Sequence, residues 1–159
     1  MTTVLDPTDF FGPGSPCFGC SQEHPIGFHM RFVEEGDEIV TRMVPSDRYQ
    51  GPLGIMHGGL VTTFADEVAD WAVIAKLGRF GFTAAIDARL KKPVRVGVEL
   101  EGRARIDEDR KRIVKVTVRL LQSGDEVYTG KFTFVLVDEK GAERMLGGPV
   151  PEHWKRFCL

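Results

Sequence analysis

The sequence predicts an α+β domain in which one long helix is wrapped by a curved antiparallel sheet of five to six strands. Only one stretch, from Gly58 to about Leu77, repeats its apolar residues every three to four positions. Four later stretches instead alternate apolar and polar residues, the mark of strands with one buried face. Twenty helical residues span about 30 Å, which matches a strand of about nine residues. A helix as long as the sheet is tall, lying between the second and third strands, buries its apolar side if the sheet curls around it.

Residues 1–26 are expected to be irregular, because Gly12-Pro13-Gly14-Ser15-Pro16 and the turn at Cys17-Phe18-Gly19-Cys20 interrupt any long element. A hairpin follows: Phe28, Met30 and Phe32 alternate with polar residues, Glu35-Gly36-Asp37 turns, and Ile39, Thr41 and Met43 alternate in return. Residues 45–56 form a loop into the helix, which Gly78 stops. Four alternating runs come next, Phe82 to Leu90, Val96 to Ile106, Val114 to Leu120 and Tyr128 to Leu136. Turns fall at Lys92-Pro93, Glu108-Asp109-Arg110 and Gln122-Ser123-Gly124-Asp125. Residues 140–159 read as an irregular tail closing on Trp154 and Phe157, so that 1–159 form a single domain.

Composition narrows the function classes. The chain has 159 residues, 42% hydrophobic and 28% charged, with a net charge of −2. Such a balance supplies no basic field for nucleic acid, and no apolar run reaches the length of a membrane span. Neither nucleic acid nor membrane is expected as a partner, and a cytoplasmic location is the default. Three cysteines without a secretion signal argue against a disulfide framework. Zinc sites usually join two separated ligand couples, whereas Cys17, Cys20, His24 and His29 crowd one short stretch. A packed turn, with no metal, is the expectation.

The chemistry concentrates where the loop enters the helix. Gly58 and Gly59 leave backbone N–H groups uncovered at the positive end of the helix dipole, where an oxyanion would be held. Asp66 lies about two turns on, near an apolar face, where desolvation and Asp70 four residues later would raise its pKa toward the range of a general base. Eight helical residues separate Gly58 from Asp66 by about 12 Å, too far for both to reach one carbonyl. Two chains with antiparallel helices would bring Gly58 of one opposite Asp66 of the other, so at least a homodimer with two sites is expected.

His57-Gly58-Gly59, with Asp66 nine residues after the histidine, closely resembles the central motif of the acyl-CoA thioesterases of the hotdog fold, in their PaaI-like branch. Cys17 to Gly27 and Arg89 to Gly97 are also similar to stretches of these proteins. The resemblance implies hydrolysis of an acyl-CoA thioester, with the Gly58 N–H as oxyanion donor and Asp66 of the partner chain as general base or nucleophile. His57, Gly59 and Gln50 join the implied site. Gln50 stands one place from where similar proteins carry Asn or Gln to orient substrate or water. Coenzyme A enters as part of the substrate, not as a cofactor. Its phosphates call for a basic patch, for which Arg89, Lys91, Lys92 and Arg95 are the candidates. A dimer of dimers is common among similar proteins. Two other readings suit the scaffold: a non-catalytic acyl-CoA-binding module, which needs no partly buried acid, and a hotdog hydratase or dehydratase, which would use His57 as base.

Overall fold

The computed structural model describes residues 2–159. Strands β1 (Thr2–Leu5), β2 (Phe32–Glu35), β3 (Glu38–Met43), β4 (Gly81–Leu90), β5 (Leu100–Arg110), β6 (Ile113–Gln122) and β7 (Asp125–Leu136) make one sheet in the order β1-β2-β3-β5-β6-β7-β4. Every neighbouring pair is antiparallel. Helices α1 (Pro7–Phe11) and α3 (Glu139–Leu146) are short. Helix α2 (Gly58–Leu77) is long and packs against β3, β4, β5, β6 and β7, as the sequence predicts. Its Phe64, Ala65, Val68, Ala69, Trp71 and Val73 are fully shielded from water. Gly78 ends it in the left-handed region (φ 63°), its N–H bonding the Ile74 carbonyl. That backbone conformation suits glycine far better than a residue with a Cβ.

The sheet has seven strands rather than five to six, and each terminal segment holds short regular elements, while residues 12–26 are irregular as expected. Residues Thr2–Leu5 pair with the otherwise free edge of β2, and Asp6 caps α1 by accepting from the Thr8 N–H. Four residues are too few for an alternation to register in the sequence. The tail contains α3, capped by Asp138, and a 3₁₀ turn at Glu152–Phe157 that brings Trp154 and Phe157 against Phe11.

Two strands start later than their alternation suggests. Phe28 to Met30 do not join the sheet, since His29 has φ 51° and the N–H groups of Phe28 and Met30 donate to Phe18 and Gly19 carbonyls. Residues 96–99 likewise form a loop, in which the buried Gln122 side chain ties down Arg95 and Val98.

A third departure bears directly on the site. A bulge between Thr83 and Ala85 shifts the pairing of β4 with β7. Cross-strand partners share a face. Thr83 opposes the core residue Phe134, while beyond the bulge Ile86 opposes Phe132 and Leu90 opposes Tyr128. The inward side of β4 therefore consists of Thr83, Ile86, Ala88 and Leu90, not the unbroken series from Phe82 to Leu90. Since β4 is the sheet's edge and overhangs the helix, Ile86 and Leu90 stay 43% and 54% exposed.

Candidate active site

The loop before α2 is braced by its own polar groups. His57 N–H donates to the Tyr49 carbonyl (2.8 Å), Gly51 N–H to that of Ile55 (2.9 Å), and Gly54 N–H to Gln50 Oε1 (2.7 Å). Gln50 thus spends its carbonyl oxygen inside the loop. His57 caps the helix, Nδ1 accepting from Gly59 N–H at 3.0 Å. A Cβ on Gly59 would lie 3.2 Å from that ring, which explains glycine there. With the Gly59 donor used, Gly58 N–H is left without an acceptor among the described residues. It stands at the first position of a 20-residue helix, where the dipole favours negative charge.

A cavity of about 370 Å³ opens beside Gly58, walled by Met56, Val61, Leu90, Val94 and Val127, with Lys91 and Lys92 among its lining residues. The basic candidates do not form one patch. Lys91 pairs with Glu126 and Lys92 with Asp125 (3.0 Å). Arg89 sits on the sheet's other face in a separate cavity with Asp87 and Lys131, and Arg95 is exposed just past Val94. Both lysine pairings come from the β6–β7 hairpin, which spacing along the chain could not reveal.

Asp66 lies half-buried on α2, and the Thr83 hydroxyl donates to its Oδ1 at 2.8 Å. Burial raises the Asp66 carboxyl above the usual range, and the Thr83 bond partly offsets that. One turn on, Asp70 holds a fully buried Oδ1 that has no hydrogen-bond partner. Its carboxyl is pushed up to about 8, first by burial and then by the charge of Asp66. Thr83 was not among the residues expected from sequence, because strict alternation would turn it away from the helix and only the bulge turns it inward. Among the aromatic residues on and after α2, Trp71 and Phe80 border another cavity, of about 160 Å³, while Phe64 is plain core.

A free N–H at the start of a helix, a cavity beside it and a half-buried acid farther along can together polarise a carbonyl and activate water, provided the two ends meet. Within one chain they do not, since the helix holds them about 12 Å apart.

The family model described as Thioesterase superfamily matches residues 53–129, which run from the end of this loop through α2, β4, β5 and β6 into β7. Solved structures of that superfamily share the fold. A thioesterase superfamily protein superposes with a TM-score of 0.66 at 22% identity, over 71% of this chain and 56% of its own, so this chain spans little more than half of it. A putative thioesterase, a phenylacetic acid degradation-related protein from Ralstonia eutropha, gives 0.63 at 24% identity over 69% and 86%. A hypothetical thioesterase from Streptococcus pneumoniae, solved with coenzyme A, gives 0.60 at 21% over 64% and 82%. Among curated proteins, a methylthioribose-1-phosphate isomerase of Aquifex aeolicus is 33% identical over 107 residues, which cover 67% of this chain but 23% of that larger protein.

Proposed function

From a chain that carries the hotdog fold of the thioesterase superfamily, we propose hydrolysis of an acyl-CoA thioester at two sites shared between paired chains. The unclaimed Gly58 N–H beside the 370 Å³ cavity carries this reading. There the thioester oxygen would be held as charge develops on it, a contribution of about 3–4 kcal/mol for one such donor. Asp66 of the partner chain takes a proton from water as that water attacks the carbonyl carbon. The carbon–sulfur bond then breaks, and the departing thiolate recovers the proton from Asp66, giving free acid and coenzyme A. Thr83 fixes one oxygen of Asp66 and leaves the other for water.

The β4 edge supports the pairing. It is ten residues long, unpaired on one side, and presents exposed Ile86 and Leu90. An open apolar edge of this length is a ready template for pairing with another strand. Edge-to-edge pairing through a two-fold axis would lay the two α2 helices antiparallel.

Thiol release from short, aromatic and long acyl-CoAs is the direct assay. Asp66→Asn should lower turnover at least ~100-fold while leaving coenzyme A binding and assembly unchanged. Equal rates for the variant and the parent across these substrates would refute the mechanism.

A further inference from the structure

Cys17 and Cys20 face a carboxylate the sequence did not associate with them. The turn that carries them folds onto α2, where Cys17 Sγ lies 3.3 Å from Glu67 Oε1 and also accepts the Cys20 N–H at 3.3 Å. One ligand atom from each of Cys17, Cys20 and Glu67 falls within 4.8 Å of the other two. Gly19 makes the approach possible, because a Cβ there would stand 2.5 Å from the Glu67 carboxyl carbon. Both thiols are free.

The same cavity receives a fourth acidic group. Asp70, whose buried Oδ1 has no partner, lines it together with Cys17, Cys20 and Glu67. No lysine, arginine or histidine lines it; its other walls are Ser15 and apolar or aromatic side chains. Two thiols and two carboxyls therefore converge on a largely apolar space that offers them no positive charge.

We infer that Cys17, Cys20 and Glu67 form a binding site for a divalent cation of the zinc class, with Asp70 or water completing the coordination. Zinc accepts thiolate and carboxylate oxygen at roughly 2.3 Å and 2.0–2.2 Å, so its tetrahedral ligands lie about 3.3–3.8 Å apart. The Cys17–Glu67 separation of 3.3 Å already falls in that range, and no pair among the three ligand atoms is more than 4.8 Å apart. Two sulfurs select a borderline-soft ion over magnesium or calcium, which prefer all-oxygen sites. The site ties the N-terminal segment to α2 next door to Asp66, independently of whether the chain hydrolyses thioesters.

The full chain, reduced and stripped with a chelator, is titrated with Co²⁺ and then Zn²⁺. One Co²⁺ per chain is expected, with a thiolate-to-cobalt charge-transfer band and visible bands of tetrahedral cobalt, bleached by one equivalent of Zn²⁺. Even outer partners of a metal ligand change affinity ten- to a hundredfold, so Cys17→Ser, Cys20→Ser and Glu67→Gln should each weaken Co²⁺ binding at least ~10-fold. Glu67→Gln should keep the charge-transfer band, and Cys158→Ser should change nothing. Absence of stoichiometric Co²⁺ uptake by the reduced parent overturns the inference, and that result needs no variant to fold. So does thiolate absorption that disappears in Cys158→Ser, or Zn²⁺ binding that survives loss of both Cys17 and Cys20.

Discussion

Gly58 occupies the first helical position of α2, where proline is tolerated because its missing N–H has no partner inside the helix. His57 before it has φ −58° and ψ 130°, a conformation that also suits a residue preceding proline. Gly58→Pro should therefore keep the fold, its Cβ meeting only the flexible end of Leu90, while deleting the proposed oxyanion donor. Turnover should fall about 10²–10³-fold with little change in the urea midpoint; unchanged turnover would remove Gly58 from the mechanism. Thr83 acts through Asp66 as a positioning residue. Losing a hydrogen bond to a charged group costs about 1.5–3 kcal/mol, so Thr83→Val should reduce kcat by about tenfold or more, with Thr83→Ser restoring most of it and KM barely moving. A shift in KM alone would assign Thr83 to substrate binding instead.

At the scale of elements, α2 was legible because its signals are local: the apolar spacing and the Gly78 stop lie within the helix or next to it. What escaped the sequence depends on pairing between distant strands. One extra residue in β4 reverses which side chains face inward, so Thr83 could not be assigned to Asp66 in advance. Glu67 could not be joined to Cys17 and Cys20 for a similar reason, since folding of the N-terminal turn onto α2 makes that contact. The β3–β5–β6 junction yields a further prediction. Burial alone would raise Glu38, but hydrogen bonds and charges from Arg119 and Arg103 outweigh it and hold the carboxyl below its usual value. Glu101 is lowered in the same way by Arg103 and Arg42. Groups depressed in the folded state contribute their full stability above the ordinary glutamate value of 4.5 and lose it as pH falls through the folded values. Glu38→Gln should therefore be less stable than the parent at neutral pH, and the gap should narrow as pH falls below 4.5. A constant gap in urea midpoints across that range would assign Glu38 a packing role only.

For the whole molecule, the shared-site arrangement makes a prediction that no single-chain site can satisfy. Gly58→Pro and Asp66→Asn chains, each inactive alone, should recover about a quarter of parental activity when mixed in equal amounts and allowed to exchange, because a mixed pair holds one intact site. No recovery, with exchange confirmed by mass, would put both groups in one chain's site. Ile86→Asp on the open edge of β4 should lower the sedimenting mass toward the 17.7 kDa of one chain and abolish activity together with it. That uncovered edge also has a consequence for how the protein responds to its own abundance. If every working site needs two chains, activity per chain is set by an association equilibrium. Dilution alone would then switch the protein off with no ligand and no chemical modification, and each newly made chain would raise the output of those already present.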